Sequence, residues 1–246
     1  MKVCFGSKAS GIHSLFLLLT KKCYLMDIQN NINEIKKSLP ERVKLVAVTK
    51  TRPSEIIMEA YEGGHRIFGE NKAQEMMQKY EELPKDIDWH FIGHLQSNKV
   101  KYIAHFVSMI HGIDSFRILQ KVNKEAAKAG RIIPCMLQFH IARESTKFGL
   151  SFEEACAILE SGLFSEMNNV AIAGVMGMAT FTDDTEQVKD EFRTLRMIFE
   201  KLRVKYFMNK SEFSDISMGM SDDYTLALEE GSTIVRIGSK IFGSRQ

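Results

Sequence analysis

The residue with the most evident chemistry is a lysine at the end of an apolar run. Val43-Lys44-Leu45-Val46-Ala47-Val48-Thr49-Lys50 stops on Lys50, and Thr51, Arg52 and Pro53 follow as a turn. Such a run reads as a buried parallel strand carrying an amine to its C-terminal end, where α/β folds build their sites. An unprotonated amine there can form a Schiff base with an aldehyde. With an ordinary pKa near ~10.4, roughly one lysine amine in a thousand is unprotonated at neutral pH, and burial or nearby cations raise that fraction. Taken alone, the segment more often describes a lysine that snorkels to water.

Two later segments suit an anion. Ser217-Met218-Gly219-Met220-Ser221-Asp222-Asp223 and Arg236-Ile237-Gly238-Ser239 combine glycines, which let backbone approach a ligand closely, with hydroxyls that can donate. The competing use is helix capping, with Ser221 as N-cap and Asp222-Asp223 in a first turn. The acidic pair makes that helix start a poor anion site. The phosphate expectation therefore falls on the Ser217–Met218 backbone and on Gly238–Ser239. Arg236 lies inside a strand pattern, where charge calls for a partner. It is either the mate of a buried acid or a donor to a ligand's ring nitrogen.

The elements that must position these residues alternate regularly. Apolar Ile28, Ile32, Ile35 and Leu39 mark a helix over 27–39 that ends at Pro40. Strands are expected over 43–49, 66–68, 88–92, 106–110, 132–141, 170–176, 213–217 and 233–237. Helices are expected over 72–82, 97–104, 115–129, 151–160, 184–205 and 222–230, with another between Pro53 and Gly63 and a short helical tail. Eight strand–helix units in one domain predict a single (β/α)8 TIM barrel, with an open doubly wound sheet as the runner-up. No glycine-rich fingerprint follows the first strand, which counts against dinucleotide binding.

Composition excludes several functions. Of 246 residues, 44% are hydrophobic and 26% charged, with a net charge of +2, so no basic field for nucleic acid is implied. The four cysteines, Cys4, Cys23, Cys135 and Cys156, form no CxxC pair, consistent with a reducing, cytoplasmic setting. His65, His90, His94, His105, His111 and His140 match no metal-ligand spacing; His90 reads as a core histidine and His94 as the best rim candidate. Met76, Met77, Met176 and Met178 read as core. Residues 1–25 carry lysines around a short apolar stretch, too short to cross a membrane. They are expected to be a leader or an upstream start outside the core, with 26–246 as the functional unit.

Six blocks in order are then specific: Val46-Ala47-Val48-Thr49-Lys50; Phe68-Gly69-Glu70-Asn71; Trp89 to Lys99; Gly174-Val175-Met176-Gly177-Met178; Ser217 to Asp223; and Gly231 to Gly238. Together they resemble the pyridoxal phosphate homeostasis protein family, which looks like the N-terminal barrel of alanine racemase standing alone. The resemblance covers residues 26–246. It implies that Lys50 holds pyridoxal 5'-phosphate as a Schiff base and that Asn71 lies near the ring. It implies that Arg236 faces the ring nitrogen, and that Ser217, Gly238 and Ser239 form the phosphate cup with Met218 and Met220 beside it. It also implies a non-catalytic, monomeric protein of vitamin B6 homeostasis, with pyridoxal phosphate-dependent apoenzymes as partners and no metal, nucleic acid or membrane. The chain departs from the family at His94, where proline is common, at His140, where asparagine is common, and at Ser239, where threonine is commoner. The alternatives are a racemase-type enzyme using the same cofactor and a cofactor-free Schiff-base aldolase barrel. Racemisation needs an acid/base on each face of the substrate carbon. The racemase draws its second group from a further domain for which this chain, ending at Gln246, has no room.

Overall fold

The computed structural model describes residues 28–144 and 148–243. The leader expected over 1–25 lies outside them. In the described residues eight parallel strands close into one barrel in chain order. Helical residues 28–38 form α1. Then follow β1 (Lys44–Val48), α2 (Ser54–Glu62), β2 (Ile67–Glu70), α3 (Ala73–Glu82), β3 (Asp88–Phe91), α4 (Val100–Ile103), β4 (Met109–Ile113) and α5 (Phe116–Lys128). The second half comprises β5 (Ile133–Gln138), α6 (Phe152–Leu159), α7 (Gly162–Ser165), β6 (Val170–Met176), α8 (Thr185–Tyr206), β7 (Asp215–Ser217), α9 (Tyr224–Glu229), β8 (Ile234–Ile237) and α10 (Ser239–Phe242). The open doubly wound alternative is excluded, because β1 pairs with β8 as well as with β2.

Period-two alternation separates two apolar layers. On β1, Leu45 and Ala47 join the outer layer between sheet and helices, while Val46 points into the barrel. On β8, Val235 and Ile237 go outward and Ile234 inward. The same alternation carries Val48 and Lys50 on from Val46, and Arg236 on from Ile234, towards the interior. Helices seal the outer layer with amphipathic stripes: α5 buries Ile118, Leu119, Val122 and Ala126, and α8 buries Val188, Phe192, Leu195, Phe199 and Leu202. Ser151 and Glu154 start α6 with a reciprocal capping box.

Two segments differ from the sequence reading. The fourth strand occupies Met109–Ile113 rather than 106–110. Phe106 and Val107 are buried, but their N–H groups donate to the Ile103 carbonyl, so they finish a helical turn instead of entering the sheet. Apolar character alone does not distinguish these two kinds of burial. The four-residue α7 was not anticipated.

Candidate functional site

A cavity of about 440 Å³ opens at the C-terminal end of the barrel. Its wall is built from the residues at or just beyond successive strand ends. Lys50 follows β1, Asn71 follows β2, and Gly93 and His94 follow β3. Gln138 ends β5, Met178 follows β6, Met220–Asp222 follow β7, and Gly238 and Ser239 follow β8. Arg236 faces the same space. A larger, shallower groove of about 770 Å³ adjoins it and shares His94 and Phe148. The smaller cavity holds Lys50 and Arg236 and is the more apolar of the two, as small-molecule sites are. Gly93 permits the close approach of neighbouring strand ends, since a Cβ there would stand 2.5 Å from the Asn71 carbonyl oxygen.

Arg236 is 4% exposed and is held from behind. Its Nη1 donates to Ser217 Oγ at 2.6 Å and its Nη2 to the Gly177 carbonyl at 3.1 Å. The Ser217 hydroxyl lies 2.9 Å from His111 Nδ1, and His111 Nε2 lies 2.9 Å from His90 Nδ1. Arginine only donates, so Ser217 accepts from Arg236. With that serine hydroxyl turned to His111 Nδ1, the His111 Nε2–H is directed at His90 Nδ1 and every member of the chain is satisfied. Burial pulls His90 down to about 3 and takes His111 well below the ordinary histidine value, so both rings are neutral at neutral pH. Burial also lowers Arg236 to about 10, with Asp223 acting the other way, and the guanidinium stays cationic.

Of the residues singled out from sequence, Lys50, Asn71, Arg236, Gly238 and Ser239 line the cavity, whereas Ser217 and Met218 do not. Both are fully buried. Ser217 is engaged with Arg236 and His111, and the Met218 N–H donates to the Ile234 carbonyl at 3.2 Å. Neither offers a group to an anion in the cavity. The loop reaches the wall further on, at Met220, Ser221 and Asp222. Ser221 is not a helix cap: α9 begins at Tyr224, and Ser221 Oγ accepts from the Gly238 N–H at 3.2 Å, which ties the two loops together. Asn71 Oδ1 is buried without a protein partner, a polar atom in the wall that suits a ligand donor.

His94 stands on the rim, its Nδ1 2.7 Å from Asp114 Oδ2 and its ring stacked on Phe148 at 4.4 Å. His140 is exposed and contacts the Glu144 carbonyl. Arg52 and Phe181 also line the cavity. Sequence reasoning missed both, because nothing in their local pattern sets them apart from ordinary loop residues. No group of three or more His, Cys, Asp or Glu side chains among the described residues could hold a metal. No helix among them is long and apolar enough to cross a membrane.

A closed parallel barrel with a lysine just past its first strand and an inward arginine on its last defines a class. Residues 24–246 match the family model of the alanine racemase N-terminal domain. An alanine racemase from Clostridium difficile shares the fold at a TM-score of 0.69 and 13% identity, and the chain spans 56% of its length. Nearer relatives narrow the class. The chain is 38% identical over 204 residues to the pyridoxal phosphate homeostasis protein of Aquifex aeolicus, covering 82% of this chain and 87% of that one. It is 35% identical over 229 residues to the human protein of that name, covering 89% and 82%. PipY of Synechococcus elongatus, solved with PLP bound, aligns with a TM-score of 0.79 at 32% identity over 88% of this chain and 100% of that chain. The chain belongs to the pyridoxal phosphate homeostasis protein family.

Proposed function

We propose that this protein binds pyridoxal 5'-phosphate and serves intracellular vitamin B6 homeostasis as a carrier without catalytic turnover. The observation that carries the reading is the convergence of the Lys50 amine and the Arg236 guanidinium on one cavity edged by the Ser221 and Gly238–Ser239 loops. The donor set fits the group. The bound cofactor supplies an aldehyde and an aromatic ring able to withdraw electrons. Lys50 would hold the group covalently through its amine. Asn71 meets the ring's polar edge. Arg236, donor-only and cationic, would face the ring nitrogen and keep it unprotonated, which would weaken the ring as an electron sink. The Ser221 and Ser239 hydroxyls and the loop backbone around Gly238 would receive the phosphate, while Ser217 holds Arg236 and Met218 packs behind the wall. Residues 26–246 act as the functional unit, as a cytoplasmic monomer that supplies apoenzymes. The names of the relatives and the PLP-bound neighbour support this reading.

The test is an absorption spectrum of the purified protein with added pyridoxal phosphate, before and after borohydride, followed by peptide mapping. A near-visible band abolished by borohydride, with the adduct on Lys50, is expected. No band overturns the reading and favours the cofactor-free aldolase; an adduct elsewhere overturns the role of Lys50. The His94–Asp114 pair on the rim is an observation that favours a racemase, because it puts an imidazole on the cavity that Lys50 also lines. Isotope exchange at Cα of added alanine in deuterated water, slowed by His94→Phe, would establish that alternative.

A further inference from the structure

A buried ion cluster stands behind Lys50, outside the cavity that holds it. Lys79 on α3 is 5% exposed. Its Nζ donates to Glu70 Oε1 at 2.7 Å, to Glu75 Oε1 at 2.7 Å and to the Thr49 carbonyl at 2.9 Å. Glu70 is fully buried and also accepts from the Thr49 hydroxyl at 2.6 Å. Glu75 also accepts from the backbone N–H of Thr51 at 2.6 Å. The two threonines flank Lys50. The peptide plane entering Lys50 contains the Thr49 carbonyl, and the plane leaving it contains the Thr51 N–H. Planar peptides leave only two soft dihedrals per residue, so pinning both planes fixes the backbone of Lys50.

The turn so held is a costly one. Thr51 has φ 65°, the only positive φ at a non-glycine among the described residues. A β-branched residue disfavours that region strongly, and such a conformation persists only where its surroundings over-determine it. A buried ion cluster is itself weak evidence for stability, because desolvation opposes the attraction between its charges. Its hydrogen bonds to both sides of Lys50 give it a different use.

We propose that Glu75 and Lys79, with Glu70 beneath them, are positioning residues that hold the Thr49–Thr51 backbone so that the Lys50 amine is presented to the cavity for Schiff-base formation. Neither Glu75 nor Lys79 lines the cavity, so both act through the backbone. The inference rests on the proposed cofactor reading and deepens it. The cluster makes the left-handed turn the ground state of the apoprotein, so the amine need not be reoriented when an aldehyde arrives.

The experiment uses the full chain and follows the rate at which the near-visible band appears on adding pyridoxal phosphate. Borohydride trapping at Lys50 and the thermal midpoint are measured in parallel. Glu75→Ala removes the acceptor for Thr51 and is expected to slow band formation roughly tenfold, the scale of a left-handed penalty at a non-glycine residue. Glu75→Gln keeps an oxygen at that position and should stay within about twofold of the parent. The decisive variant is Glu75→Ala combined with Thr51→Gly. Glycine adopts positive φ without the clamp, so the double variant should regain most of the rate. A purely structural role for the cluster would not be suppressed by a glycine beside Lys50. An unchanged rate in Glu75→Ala, or a double variant as slow as Glu75→Ala, overturns the proposal. Lys79→Arg keeps the charge and should fall between the parent and Glu75→Ala; a parent-like thermal midpoint with a rate below that of Glu75→Ala would overturn it also. If the parent itself gives no adduct on Lys50, the cofactor reading fails instead, so the two failures are distinguishable.

Discussion

The two sides of the cavity reach the same backbone geometry by opposite means. On the lysine side, Thr51 takes a left-handed φ of 65° and is held there by charged side chains from α3 and β2. In the loop after β7, just before the wall residues Met220 and Ser221, Gly219 takes a φ of 93° as a glycine, which adopts it without a steric penalty. There the wall is built from loop backbone and the small residues Ser221, Gly238 and Ser239. On the lysine side, Lys79 and Glu75 hold the backbone before and after Lys50 by hydrogen bonds. Between the sides runs the Arg236–Ser217–His111–His90 chain, which joins β8, β7, β4 and β3 through the barrel interior.

The contrast can be broken most completely at the lysine. Lys50→Ala is expected to abolish the borohydride-stable adduct while leaving circular dichroism unchanged, because the strand-end side chain is not part of the apolar core; an adduct at the same position would sink the assignment. Acid should act next most strongly, through the central chain. His90 and His111 are neutral when buried, as is His65, which burial lowers to about 4, and all three regain ordinary values on unfolding. The unfolded chain therefore binds more protons from about pH 6.5 down towards the folded values, and stability is lost as the pH drops through that window. The expected slope is roughly 1.4 kcal/mol per pH unit for each histidine, read as a declining urea midpoint. Glu70, raised by burial, contributes with the opposite sign above the ordinary glutamate value, since there it is the folded state that binds more protons. A urea midpoint that does not move between pH 7 and 5 would contradict neutral burial of the histidines.

Arg236→Ala should weaken cofactor affinity by about ten- to a hundredfold, the range for losing a charged hydrogen bond, and shift the absorption band. An unchanged titration and spectrum would remove Arg236 from the site. Gly219→Ala places a Cβ 2.6 Å from that of Ala227 at positive φ and should cost about 1–3 kcal/mol in chemical denaturation. Thr51→Gly alone sharpens the contrast with the smallest effect. Relief of the left-handed strain and the added freedom of the unfolded glycine nearly cancel, leaving less than about 1 kcal/mol. A large loss in Thr51→Gly would mean that the threonine side chain, not the turn, is what the lysine side requires.

Much of this was legible in the residue pattern. The Val-rich run ending in Lys50, and the eight alternating units after it, announced a barrel with an amine at its mouth, since strand and helix periods are local properties. Arg236 and the Gly238–Ser239 turn were legible for the same reason: a charge within a strand and a glycine beyond it are conspicuous in one dimension. Tertiary structure decided what those residues do. Only the closed barrel brings Ser217 under Arg236 and out of the cavity wall, and only there does Ser221 become a tie between loops instead of a helix cap. The pairing of Lys79 and Glu75 with the backbone around Lys50 was equally hidden. On the sequence they are ordinary helix-face charges, and their meaning comes from the way α3 packs behind the end of β1. Hydrogen-bond partners distant in sequence leave no periodic trace, so the chain alone specifies which groups exist and only the fold specifies which of them meet.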